Sequence, residues 1–75
     1  MEVQINGETR PVADDANVAG LLQQMGLTGR RLAVEVNGQI VPRGRFESHR
    51  LRAGDRIEIV HAIGGGQTDT AADRV

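Results

Sequence analysis

A single stretch of helical period sits among runs of strand period, and that arrangement narrows the folds open to this chain more than any other feature. Val18, Leu21, Leu22 and Met25 fall at i, i+3, i+4 and i+7, one apolar stripe about two turns long. Asn17 stands immediately before the stripe as its N-cap, and Gly26 follows it as a left-handed stop. Ala19, Gln23 and Gln24 form the wet face, so the helix packs on one side only. Everything else apolar alternates. Val3 and Ile5 lie on one face of residues 2–6, and Asn6-Gly7 then signals a hairpin. Thr9 to Ala13 returns as a second strand with Val12 inward and Pro11 limiting it to an edge.

The second half repeats the device. Leu32, Val34 and Val36 alternate inward, Asn37-Gly38 turns, and Gln39-Ile40-Val41 pairs back before Pro42. Residues 43–55 are polar and Arg-rich, with Phe46 and Leu51 as apolar anchors and Ala53-Gly54-Asp55 as a tight turn. The last strand is Arg56 to Ala62. An order of ββ-α-ββ-loop-β with one helix folds most compactly as an α+β mixed sheet of about five strands wrapped on that helix, the β-grasp arrangement. By fold analogy, its first and last strands are central, adjacent and parallel. The expected organisation is a domain over 1–63, a flexible glycine arm at 64–66, and a disordered extension at 67–75.

Composition removes most chemistry. The chain has 75 residues and no Cys, so disulfides, thiolate zinc sites and cysteine nucleophiles are excluded. All nine basic residues are Arg, which excludes a phosphate-loop lysine and Schiff-base chemistry. With a formal net charge of −1 and Phe46 as the one aromatic, it lacks the basic surplus or stacking platform of a nucleic-acid binder. The N-terminal residues show no signal peptide, and no apolar run approaches the ~20 residues of a membrane span, which points to a cytoplasmic protein without membrane contact.

The remaining candidates are few. His49 and His61 are twelve positions apart without a third ligand, so no metal site is expected. His49 reads as a solvated loop residue, and His61 as a partly buried strand residue at the root of the arm. Asp14-Asp15 reads as helix capping rather than a catalytic pair. Strand alternation puts Arg56, Glu58, Val60 and Ala62 on the face opposite the helix. Val60 and Ala62 are expected to centre a partner contact there, with the arginines at 43, 45, 50, 52 and 56 steering toward acidic surfaces.

Gly64-Gly65-Gly66 has no folding role, because glycine buries nothing and maximises backbone freedom. One reading is a linker, although only nine residues follow, too few for a domain and without an apolar cluster that could dock. The other is an arm threaded through a partner's narrow active site, where a Cβ would block passage. Three extended residues reach about 10 Å, enough to carry a terminal carboxylate clear of the domain and onto the α-phosphate of ATP.

Ala33-Val34-Glu35-Val36-Asn37-Gly38, Ile40-Val41-Pro42-Arg43, Leu51 and Gly54-Asp55-Arg56-Ile57-Glu58-Ile59-Val60 lead at fixed spacing to the glycine end. From Val3 to Gly66 the chain resembles the ubiquitin-like sulfur carriers, most closely those of the ThiS type, which serve thiamine thiazole biosynthesis. The resemblance implies a protein-bound sulfur donor rather than an enzyme. In such carriers the terminal glycine carboxylate is adenylated with MgATP by a ubiquitin-activating-type enzyme, so the carrier itself binds no cofactor. Sulfur drawn from cysteine through a desulfurase converts it to a thiocarboxylate, which delivers sulfur to thiazole synthase. Gly65-Gly66 matches the family's terminal pair, so Gly66 would bear the reactive group. Family chains end at that pair, whereas this one continues from Gln67 to Val75. Either a protease trims the extension, or it belongs to a fusion, or the chain is not an active carrier; a precursor needing a processing protease is the favoured reading. The alternatives are a carrier for another pathway, such as the molybdopterin small subunit, and a β-grasp module that binds without covalent chemistry.

Overall fold

In the computed structural model, which describes residues 1–62 and 72–74, the chain order is β1 (Glu2–Ile5), β2 (Glu8–Pro11), α1 (Val18–Gln24), β3 (Leu32–Val36), β4 (Gln39–Val41), β5 (Arg56–Ala62) and β6 (Ala72–Arg74). A 3-10 turn occupies Arg43–Arg45. The sheet runs β2-β1-β5-β3-β4, with β6 also on β5. β1 and β5 are central and parallel, Gln4 opposite Arg56 and Ile5 opposite Ile57. The other pairings are antiparallel. This is the expected mixed sheet on one helix. β6 lies inside the stretch expected to be disordered.

Both Asn-Gly steps make the predicted turns, with φ of 50° at Asn6 and 53° at Asn37, each followed by a glycine at positive φ. Each asparagine also clamps the last strand. The Asn6 side chain accepts from the Ile59 N–H at 2.8 Å and donates to the Ile59 carbonyl at 3.2 Å. Asn37 accepts from the Arg56 N–H at 2.9 Å and donates to Asp55 at 3.0 Å. Asp55, 9% exposed, also accepts the Arg52 N–H at 2.8 Å, which closes the turn leading into β5. Asn6→Gly keeps the turn geometry and removes the clamp. It should cost about 1–2 kcal/mol, two ordinary hydrogen bonds. Urea unfolding reads this as a lower midpoint at unchanged slope, and an unchanged midpoint would show that the clamp adds nothing.

The helix starts and stops where its caps dictate. Asn17 Oδ1 accepts the Gly20 N–H at 2.7 Å, and its amide nitrogen donates to the Glu47 carbonyl at 2.9 Å. Gly26, at φ +75°, ends it, with the Leu27 N–H reaching back to the Leu22 carbonyl at 2.8 Å. Val18, Leu21 and Leu22 are buried together with Val3, Ile5, Val34, Val36, Ile57 and Ile59. Leu51 joins them, and Phe46 packs half-buried at the margin.

Three local expectations are corrected. β2 covers Glu8–Pro11 rather than Thr9 to Ala13, although Val12 is inward as expected and still pairs with Met1, donating to its carbonyl at 2.7 Å and accepting from its ammonium at 2.9 Å. Asp14 caps no helix: the first turn of α1 holds no acidic residue. Its carboxylate meets the Met1 ammonium at 2.9 Å. That hydrogen bond and charge hold the Asp14 carboxyl below its usual range, so its small, solvent-screened contribution is present above the ordinary carboxylate pKa and lost as pH falls through the lowered one. His49 is half-buried rather than solvated, because its carbonyl accepts the Val18 N–H at 3.1 Å and holds the loop against the helix.

Candidate functional site

The face of the sheet opposite α1 leads along β5 toward the glycine arm. Ile57 and Ile59 are 1% and 0% exposed, so alternation turns Arg56, Glu58 and Val60 outward, as expected. Ala62 ends β5 at the next position of that alternation, with its backbone opposite Ala72. Gly64, Gly65 and Gly66 lie outside the described residues.

Register completes the face. Val60 lies opposite Ala33, Glu58 opposite Glu35, and Glu35 in turn opposite Ile40. Val60 and Ala33 are half-buried, while Ile40 is 67% exposed, the one large apolar side chain so open among the described residues. The result is an apolar strip, Ala33-Val60 and Ile40, with two carboxylates between them. Like charges directly opposite on an antiparallel pair are unfavourable for the isolated sheet. Toward β1, Arg56 lies opposite Gln4, and both line a polar recess with Gly7, Glu35, Gly38 and Glu58.

Of the five arginines expected to steer a partner, Arg56 alone sits in the strand that presents Val60. Arg43 is turned to the Arg30 carbonyl, to which it donates at 3.0 Å. Arg50 is exposed, and its backbone alone forms an antiparallel bridge to Asn17 at the start of the helix. Sequence reasoning passed over Ile40, Glu35 and Ala33. The signal was present, since an inward Val41 and Val34 force their neighbours outward.

His61 follows Ile57 and Ile59 on the core side, opposite Leu32, and is half-buried as expected. Its Nε2 is buried without a hydrogen-bond partner. Among the described residues no group of His, Asp or Glu is placed to hold a metal ion. No helix there is long and apolar enough to cross a membrane.

Comparison with known proteins adds the following. The model of the ThiS family matches residues 3–66. The chain is 41% identical over 66 residues to a thiazole synthase of Paramagnetospirillum magneticum, covering 88% of this chain and 20% of that protein. It is 32% identical over 66 residues to the sulfur carrier protein ThiS of Escherichia coli K12, covering 88% of this chain and 100% of the relative. The chain thus spans about a fifth of the length of the first curated relatives it matches. The crystal structure of a thiamine biosynthesis protein (ThiS) from Geobacter metallireducens superposes with a TM-score of 0.77 at 30% identity, covering 88% of this chain and 100% of that one.

Proposed function

The chain belongs to the ThiS family, and on that premise we propose that it is a sulfur carrier of thiamine thiazole biosynthesis whose working group is the carboxylate of Gly66. The observation that carries the reading is where the match stops. The family correspondence runs over residues 3–66 and closes on Gly66, leaving 67–75 outside it. Removal of those nine residues by a protease converts the Gly66–Gln67 amide into a free carboxylate.

The chemistry then needs no general acid or base from the carrier. A carboxylate oxygen of Gly66 attacks the α-phosphate of MgATP on an adenylating enzyme, and pyrophosphate leaves. The carbonyl carbon of the resulting acyl-adenylate is attacked by the outer sulfur of a persulfide that a desulfurase has charged from cysteine; AMP leaves, and a thiol reductant then cleaves the S–S bond of the acyl disulfide to release the thiocarboxylate. The thiocarboxylate is a soft nucleophile held on a protein, delivered at an effective concentration that free sulfide would not reach. Thiazole synthase is its receiver. In support, a protein of that name carries a segment 41% identical to this chain. The domain contributes an address: Val60, Ala62, Arg56 and Glu58, with Ile40 beside them, form the surface that partners read while Gly64 and Gly65 pass the terminus into the active site.

Intact mass spectrometry of the cellular protein tests the reading. The expected species ends at Gly66, partly with one oxygen replaced by sulfur. If every molecule retains Val75, the reading fails for this chain. Growth of a deletion strain rescued by thiamine or its thiazole precursor separates it from a carrier of another pathway, such as molybdopterin synthesis.

A further inference from the structure

Successive residues of a strand turn their N–H and C=O groups alternately to the two flanking strands. In β5 the Arg56 carbonyl accepts the Asn37 N–H at 2.7 Å on the β3 side, so Ile57, Ile59 and His61 face the opposite edge. Three different groups fill that edge. The Ile57 carbonyl takes the Asn6 N–H at 2.8 Å, and there the backbone of β1 ends its pairing. At Ile59 the Asn6 carboxamide stands in for a strand, accepting at 2.8 Å and donating at 3.2 Å. At His61 neither β1 nor its turn reaches. The place is taken by β6, antiparallel, with Val60 opposite Arg74, His61 opposite Asp73 and Ala62 opposite Ala72.

Residues 72–74 belong to the segment whose removal the carrier reading requires. Without them the His61 N–H and C=O face an open sheet edge, and such an edge is a template for another extended chain. The slot ends two residues before Gly64, so whatever holds the arm is adjacent to it. We propose that the β5 edge at Val60–Ala62 is a strand-docking site for an extended segment of the adenylating enzyme, occupied by the chain's own residues 72–74 until they are removed. The identity of the partner rests on the carrier reading; the slot and its present occupant rest on strand register. Trimming would then free the carboxylate and open the docking edge in one event.

Amide hydrogen exchange tests the occupant. In the 75-residue chain the His61 amide should exchange about tenfold more slowly, or slower still, than in a chain ending at Gly66. Asp73→Pro in the full chain, which deletes the donor opposite His61, should exchange like the shortened chain. The Ile59 amide, held by Asn6, should be alike in all three. Equal His61 exchange in all three overturns the proposal.

Binding to the adenylating enzyme tests the partner. In the chain ending at Gly66, His61→Pro removes an N–H that faces only the open edge, while His61→Ala keeps it. His61→Pro should bind about tenfold more weakly than His61→Ala, and equal affinity in two folded variants overturns the docking site. A synthetic peptide of residues 67–75 requires no variant to fold: added to the shortened chain, it should slow His61 exchange and compete with the enzyme. Pyrophosphate exchange run in parallel separates the two readings. No exchange with any chain is a failure of the carrier reading. Exchange that proceeds with the shortened chain and ignores the peptide is a failure of the docking site.

Discussion

Cut back to end at Gly66, the chain should support ATP–pyrophosphate exchange by its adenylating enzyme, and the 75-residue chain should give none above background. The contrast is all-or-none because the reacting atom differs. A carboxylate oxygen carries the charge and lone pair that attack phosphorus, whereas the Gly66–Gln67 amide oxygen has no free charge and its nitrogen is tied up in resonance. Single substitutions in the arm grade the effect. Gly65→Val in the shortened chain places a β-branched side chain where the proposed threading of the arm requires backbone alone. Exchange should fall about 100-fold, the order expected when a reacting group is displaced by about an ångström. Thermal unfolding should not change, because Gly65 follows Ile59, the last core residue among those described, by six positions. Exchange at full rate by the 75-residue chain would remove Gly66 as the reactive terminus.

What could be read in advance divides along local and long-range lines. The helix was legible because its signals are local: Val18, Leu21, Leu22 and Met25 form the stripe, and Asn17 and Gly26 bound it within two residues. The two Asn-Gly turns were legible for the same reason. The parallel pairing of β1 with β5 was not a matter of pattern. It joins residues about fifty positions apart and came from analogy with a fold. Asn6 shows the limit most plainly. Its turn is visible in a dipeptide, whereas its grip on Ile59 depends on where the final strand lands. The arginines between 43 and 52 were read as one cluster because they are neighbours in sequence. The Arg43 side chain is directed to the Arg30 carbonyl, a contact that adjacency does not report. The glycine end was conspicuous because nothing in folding explained it.

Asp at position 59 and Asp at position 60 should have opposite consequences, although the two sites are neighbours in one strand. Ile59 is 0% exposed and packs in the core, so Ile59→Asp buries a carboxylate without a partner. The cost is several kcal/mol, against a total of about 3–5 kcal/mol for a domain of this size without a staple. That chain should be unfolded at room temperature, with helical circular dichroism and amide-shift dispersion lost together. Val60 faces outward beside Ala33 and is half-buried, so Val60→Asp can keep its carboxylate in water. Helical signal should persist, and the unfolding temperature should fall by a few degrees at most, while sulfur transfer to the thiazole synthase falls. A lost apolar anchor at the centre of an interface is worth about 1–3 kcal/mol, or roughly 5–150-fold in affinity. Ile40→Asp, at a side chain 67% exposed, should weaken transfer with still less effect on stability. The sign of the charge supplies a second check. Glu35 already lies opposite Glu58 on this face, so a further carboxylate repels itself while a cation does not. Val60→Arg should therefore fold at least as well as Val60→Asp and still bind poorly, if the contact requires an apolar side chain there. Unimpaired transfer by both folded variants would move the partner surface off this face. Loss of helical signal in Val60→Asp would instead place Val60 in the core.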